Sequence, residues 1–268
     1  MSTMIQNIWS LGTLALNSRT LELNIQIFLN NSTLRADFAE KWAFGFQDPA
    51  SPWMYAIIDL HDRIMFYLII LLIVVVWFLV SATLNTNPLN FHHGNLIELI
   101  WTLTPAGILW AIGLPSLKLL YMIDEILDAE ITIKAIGNQW YWSYEYSDYV
   151  DSLDKSIAFD SFMVSDDSLE EGDLRQLAVD NYLVLPINTS IRLLVTSNDV
   201  IHSFAIPSLA LKLDAIPGRL NSTGILITRP STFYGQCSEL CGVLHGFMPI
   251  GIHGVDLPSY LNFLRSMD

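Results

Sequence analysis

Two stretches of this chain run uncharged for longer than a soluble fold readily accommodates. Residues 64–80 (IMFYLIILLIVVVWFLV) are 17 residues without a charge, and residues 99–117 are 19. About 20 such residues, at a rise of ~1.5 Å each, cross the ~30 Å hydrocarbon core of a bilayer. The alternative is a pair of buried helices in a large soluble protein. The chain has 268 residues, and nothing else in it is big enough to bury both runs. The sequence therefore predicts a membrane hairpin over residues 56–122, with spans at about 57–82 and 97–121. Pro105 and Pro115 bend the second span, a break that membranes tolerate when neighbours satisfy the freed carbonyls. A hairpin returns both ends to one side. Residues 81–98 between the spans hold no Lys or Arg, so the positive-inside rule does not orient it.

The two flanks differ in character. Residues 1–55 show no clear period and read as a segment outside the membrane. With only Arg19, Arg35 and Lys41, they lack the Arg-rich, acid-poor cast of a transit peptide. From residue 131 onward, short runs rich in Ile, Val, Tyr and Trp (ITIKAI, QWYWSYEY, DNYLVLP, SIRLLVTS, GILIT) alternate with Gly, Asn, Asp and Ser. That pattern predicts an all-β sandwich or barrel over residues 123–268. Residues 147–173 read as an acidic loop around one strand. A short helix is expected from Pro258 to Met267, with Asp256 as its cap.

Charge narrows the partners. From Tyr121 onward there are 20 Asp and Glu against 8 Lys and Arg, a net −12. A field of that sign repels nucleic acid and favours encounter with a basic protein, although acidic surfaces also simply keep domains soluble. With only Cys237 and Cys241, the chain is no disulfide scaffold.

The chemistry-bearing residues gather at 235–248 (GQCSELCGVLHGFM). There Cys237, Cys241, His245 and Met248 follow one another at spacings of 4, 4 and 3, and His202 lies 35 residues upstream of Cys237. Two thiolates, imidazoles and a thioether form a soft donor set that favours copper over hard cations. One Cys with two His and a Met would make a mononuclear blue-copper site. A second Cys in the same loop suits two coppers bridged by thiolates and sharing one electron, a centre for electron transfer rather than bond-making. A disulfide across three residues is awkward in so tight a loop and leaves the other donors without a role. A structural zinc site fits Met and this spacing poorly.

At these residues the sequence resembles subunit 2 of cytochrome c oxidase, mitochondrial type. The likeness runs from about Asp48 to Met267. It is carried by ELIWTLTP at 98–105, LPSLKLLYM at 114–122, GNQWYWSYEY at 137–146, DVIHSF at 199–204, DAIPGRLN at 214–221 and the Cys237 loop. The resemblance implies a two-helix transmembrane hairpin followed by an all-β, cupredoxin-like Greek-key barrel. It implies that His202, Cys237, Cys241, His245 and Met248 hold the dinuclear copper centre CuA. Glu239 would offer its backbone carbonyl to copper and its carboxylate to a magnesium ion shared with subunit 1. Trp140 would be the point where electrons arrive from cytochrome c. Glu145, Asp148, Asp180 and Asp199 would be docking acids for that basic partner, and Glu98 would stand at the mouth of a proton path on the opposite side.

The implied function is that of an electron-transfer subunit. It passes electrons from cytochrome c to heme in subunit 1, where oxygen is reduced to water and protons are pumped. The implied partners are cytochrome c, subunit 1 with the other oxidase subunits, and membrane lipid. The implied location is the mitochondrial inner membrane, with the copper domain and both termini in the intermembrane space. A membrane-anchored copper-delivery protein is the competing reading; it would need neither the aromatic block nor Glu98. The acidic insertion near 151–158 and the longer N-terminal segment depart from the animal pattern. His253, His92 and His93 are expected to be packing or surface residues.

Overall fold

The computed structural model describes residues 37–87, 93–124, 128–150 and 156–267. Residues 1–36, most of the acidic insertion and His92 lie outside the described residues. Two long helices come first, α1 (Pro52–Leu84) and α2 (Asn95–Asp124). Ser51 starts α1: its hydroxyl oxygen accepts from the Met54 amide, and Pro52 occupies the first turn, where its missing N–H costs nothing. At 33 residues, α1 is about 50 Å long, enough to cross a bilayer and project beyond it. Over their uncharged runs both helices are apolar all round, and in neither is the central apolar window buried against protein. A helix with that surface needs lipid or other membrane helices as its solvent. Pro105 and Pro115 lie within α2, which continues through both.

Ten strands follow: β1 (Ile131–Asn138), β2 (Tyr141–Val150), β3 (Ser156–Ser161), β4 (Leu183–Pro186), β5 (Ile191–Ser197), β6 (His202–Ile206), β7 (Leu211–Ala215), β8 (Asn221–Ile225), β9 (Ser231–Gln236) and β10 (Pro249–Val255). The terminal helix α3 (Leu257–Met267) opens with the Ser259 amide bonded to the Asp256 carboxylate, as expected. The strands form a five-stranded sheet in the order β3-β2-β1-β5-β8, a three-stranded sheet β4-β10-β9 and the pair β6-β7. The result is a cupredoxin-like β-sandwich carried on a two-helix hairpin. The core lies between the sheets. On β2 the period of two puts Trp142, Tyr144 and Tyr146 fully inside while Ser143 and Glu145 face outward. Trp142 and Phe204 meet edge to face at 5.1 Å. His253 is buried on β10, stacked on Tyr182 at 4.1 Å and bonded to Thr232; burial pushes its pKa down to about 3. His93 is exposed.

Residues 37–51 are part of this packing. The Asp37 amide donates to the Thr232 carbonyl, and the Asp37 carboxylate pairs with Arg229 at 2.7 Å. Arg229 also donates to the Asp48 and Pro49 carbonyls, and Thr228 to Ala50. The Ser51 hydroxyl donates to the Leu209 carbonyl, so the residue that caps α1 also fastens the helix to the β domain.

Candidate metal centre

The donor loop hangs between β9 and β10, and β6 brings His202 to it. This approach depends on glycine. A Cβ on Gly235 would collide with the Ala205 carbonyl of β6, so β9 can lie against β6 only with hydrogen at that position. A Cβ on Gly137 would fall 2.8 Å from the His202 ring. The Ser238 amide then donates to the Ser203 carbonyl at 3.0 Å, fixing the start of the loop.

The donor atoms converge. Cys237 Sγ lies 3.9 Å from Cys241 Sγ and 3.9 Å from His202 Nδ1. Cys241 Sγ lies 3.5 Å from His245 Nδ1 and 3.6 Å from Met248 Sδ. The Glu239 carbonyl is 3.4 Å from Cys237 Sγ. Two sulfurs sharing one metal at bonds of about 2.3 Å, the zinc–thiolate length, can be no more than about 4.6 Å apart. The thiol pair meets that limit. Each thiol has its own imidazole nearby, and both cysteines are free rather than joined. His202, Cys237 and Cys241 are all buried. The set is soft, compact and split into two halves, which fits a pair of thiolate-bridged copper ions.

Local charges prepare it. Burial opposes charge on Cys237, but the His202 imidazole, hydrogen bonds from the Glu239 and Ser203 backbone and His245 more than offset this, and its pKa falls to about 6. Cys241 goes the other way: burial, then the neighbouring Cys237 thiolate, push it up to about 12. One proton thus remains on the pair near neutrality. His202 is disfavoured as a cation by burial, yet its bonds to Cys237 and Asp199 raise its pKa overall. Asp199 is held below its usual value: burial works against this, and the His202 bond and the Val200 and Gln139 amides outweigh it. Its carboxylate sits 2.8 Å from His202 Nε2, leaving Nδ1 to face the thiols. Such a partner orients a ligand histidine.

Around the loop, Trp142 Nε1 donates to the Met248 carbonyl at 3.3 Å. Gln139 and Trp140 both donate to the Cys241 carbonyl, at 2.9 and 3.3 Å, so half-buried Trp140 is one hydrogen bond from a thiol-bearing residue. Gly242, at φ +124, sits under the Trp140 ring, where a Cβ would be 3.2 Å from it. Leu240, Val243, Leu244 and Phe247 form an exposed apolar collar, with Val243 88% accessible.

The remaining expected residues fall in four places. Asp199 joins the centre itself, a role the sequence reading did not give it. Asp180 is exposed and accepts from the Phe162 amide, and Phe162 stacks on Tyr141 beside Trp140. Glu145 lies farther along β2 and pairs with Lys134, while Asp148 accepts from the Thr132 amide. Glu98 is exposed in the first turn of α2, at the end of the hairpin away from the β domain. Gln139 and the three glycines were missed. Gly235 and Gly242 stood inside the motif, but a glycine's letter does not say what would collide with a side chain there.

Residues 131–255 match the family described as cytochrome C oxidase subunit II, periplasmic domain, and residues 39–119 match cytochrome C oxidase subunit II, transmembrane domain. Among curated relatives, the cytochrome c oxidase subunit 2 of Cyanidium caldarium is 52% identical over 89% of this chain and 96% of its own. That of Mycosarcoma maydis is 52% identical over 88% and 95%. That of Metridium senile is 54% identical over 86% and 92%.

Proposed function

This chain belongs to the cytochrome c oxidase subunit II family, and from that membership we propose how its own residues carry the function. It is the CuA electron-transfer subunit of a heme–copper oxidase, a membrane protein that works beside other oxidase subunits. His202, Cys237, Cys241, His245 and Met248 hold the two coppers by their side chains, and Glu239 by its backbone carbonyl. The observation that carries this is the convergence of two free thiols 3.9 Å apart, each with its own imidazole. When bound, the copper pair supplies a one-electron store whose charge is spread over two metals.

The protein's part is to keep the donors still and dry. Cys237, Cys241, Met248 and His202 are buried, Asp199 fixes the His202 ring, and Trp142 fixes the Met248 backbone. A cage that does not move between oxidation states adds little reorganisation to each transfer. Trp140 receives the electron from cytochrome c; its bond to the Cys241 carbonyl gives a short covalent and hydrogen-bonded route to the thiol. The apolar collar seats the partner, because exposed apolar groups ringed by polar ones mark interfaces. Asp180, Glu145 and Asp148 add the negative field that steers a basic protein, and Asp199 adds to it from the edge of the site. The Glu239 carboxylate is exposed and has no hydrogen bond or ion pair among the described residues; it reaches to a magnesium ion shared with subunit 1. Glu98 opens the proton path on the far side. The copper domain and both termini lie in the intermembrane space of mitochondria, and lipid surrounds the hairpin.

Electron paramagnetic resonance of the full chain loaded with copper in detergent tests the assignment. Two coppers per chain sharing one unpaired electron give a seven-line hyperfine pattern. One copper with a four-line pattern means that the second thiol does not bridge, and the ligand assignment fails.

A further inference from the structure

The hairpin carries a second polar feature, remote from the donor loop. Where α1 and α2 approach the β domain, a cavity of about 220 Å³ opens between them. Leu60, Leu119 and Met122 contribute an apolar wall, and Asp59, Arg63 and Lys118 contribute charge. Arg63 pairs with Asp59 at 2.7 Å through one guanidinium nitrogen, leaving other N–H donors of its fork unused. Lys118 makes no ion pair among the described residues. The cavity therefore holds two cations against one carboxylate, a surplus of one positive charge.

Its depth is set by the ends of the two uncharged runs: Arg63 stands immediately before residues 64–80 and Lys118 immediately after residues 99–117, with Trp53 outward of both. The indole donates to the Met122 carbonyl at 3.2 Å and packs over Gly224 of β8. Trp at the end of an apolar span marks the headgroup layer. Three charged side chains beside apolar spans are tolerable at that level and costly deeper. The space far exceeds the share of one water, about 30 Å³. A cation surplus, an apolar wall and headgroup depth together match one kind of molecule.

We propose that this cavity binds the phosphate of an anionic glycerophospholipid. Lys118 and the free N–H groups of Arg63 hold the phosphate, and an acyl chain lies along Leu119 and Met122. The site is separate from the copper centre and does not depend on it.

The test uses the assembled oxidase, stripped of loosely held lipid and titrated with phosphatidylglycerol or phosphatidylcholine, with bound lipid counted by native mass spectrometry. The wild-type complex should hold phosphatidylglycerol in preference to phosphatidylcholine. Lys118→Gln and Arg63→Gln should each weaken that binding about fivefold, and Lys118→Arg should keep it. An unchanged heme-to-copper ratio shows that the variants assemble. A second measurement needs no variant: phosphatidylglycerol, and not phosphatidylcholine, should shield Lys118 from amine acylation in the wild-type complex. Equal affinity in all variants, equal binding of both lipids, or a cavity filled by another oxidase subunit so that no phospholipid is retained would each overturn the proposal.

Discussion

His202 and His245 end at the same pair of thiols, but they reach it from different kinds of structure. His202 begins a fully buried strand, its ring is out of reach of solvent, and three groups hold it: Asp199 at Nε2, the bare Cα of Gly137, and Cys237 at Nδ1. His245 sits half-buried on the 3-10 turn His245–Phe247, within the apolar collar, and its described partners are the Cys241 and Cys237 thiols and the Gly242 carbonyl. One arm is built for rigidity and the other for contact. An electron carrier needs both, a cage that does not relax and an edge that a partner can touch. The sandwich supplies the first from its core and the second from a loop.

The largest effect should come from the atoms the arms share. Cys237→Ser or Cys241→Ser removes one of the two thiols proposed to bridge the coppers, and copper should fall from two per chain to one or none, with loss of the seven-line spectrum. A normal paired-copper spectrum in either variant would show that bridging does not need both sulfurs.

Next comes the fit of the rigid arm. Gly235→Ala drives a methyl into the Ala205 carbonyl, where backbone must move, and should destabilise the β domain by about 3 kcal/mol. Gly246→Ala in the contact arm meets nothing within 4 Å and should change stability by less than about 0.5 kcal/mol. Equal losses in thermal melts of the two variants would mean that the arms do not differ in rigidity.

The same contrast should appear in the chemistry of the metal-free thiols. With its pKa at about 6, Cys237 is mostly thiolate at pH 7.5, whereas Cys241 at about 12 is protonated. Thiolates attack and thiols do not, so alkylation should mark Cys237 at least about tenfold faster. The preference should fade as pH drops through about 6 and Cys237 takes up its proton. Peptide mapping after brief iodoacetamide treatment reads this directly. The stability of the same metal-free chain gains a separate acid limb from His253. Its folded pKa of about 3 lies below its unfolded value near 6.5, so the unfolded state binds the extra proton between them. Stability is full above pH 6.5 and drops on acidification, by at most about 1.4 kcal/mol per pH unit, and His253→Gln should flatten that limb.

Much of this contrast could be read from the letters, but unevenly. The hairpin was legible because an uncharged run of membrane length has few other uses. The donor set was legible because Cys, His and Met at loop spacing have few others. Strand bounds were less so: QWYWSYEY looked like one strand, yet Gln139 and Trp140 form the turn before Tyr141, which is what brings both to the Cys241 carbonyl. GILIT also reads as a strand, but β8 ends at Ile225; the Ile227 carbonyl accepts from Asn188 and Thr228 donates to the Ala50 carbonyl. The fastening of residues 37–51 was invisible, because it is made largely of backbone groups and one long-range pair, Asp37 with Arg229. The resemblance makes Asp199 a docking acid for the basic partner. Only the fold shows that the three-residue step turns its carboxylate onto the ring nitrogen.

The smallest effect at the metal should lie in the collar. Val243 is 88% accessible and holds no donor, so Val243→Ser leaves every distance among the sulfurs and imidazoles as it is. Copper content and spectrum should be unchanged. If the collar seats cytochrome c, losing one exposed apolar side chain should weaken the encounter by a few fold, seen as a raised KM with kcat nearly constant, and added salt should not reproduce the loss. Trp140→Ala should instead lower kcat at saturating cytochrome c while keeping its copper, because it interrupts the route and not the seat. A Val243→Ser variant that loses copper would make the contact arm part of the cage, and the division between a rigid arm and a touching arm would not hold.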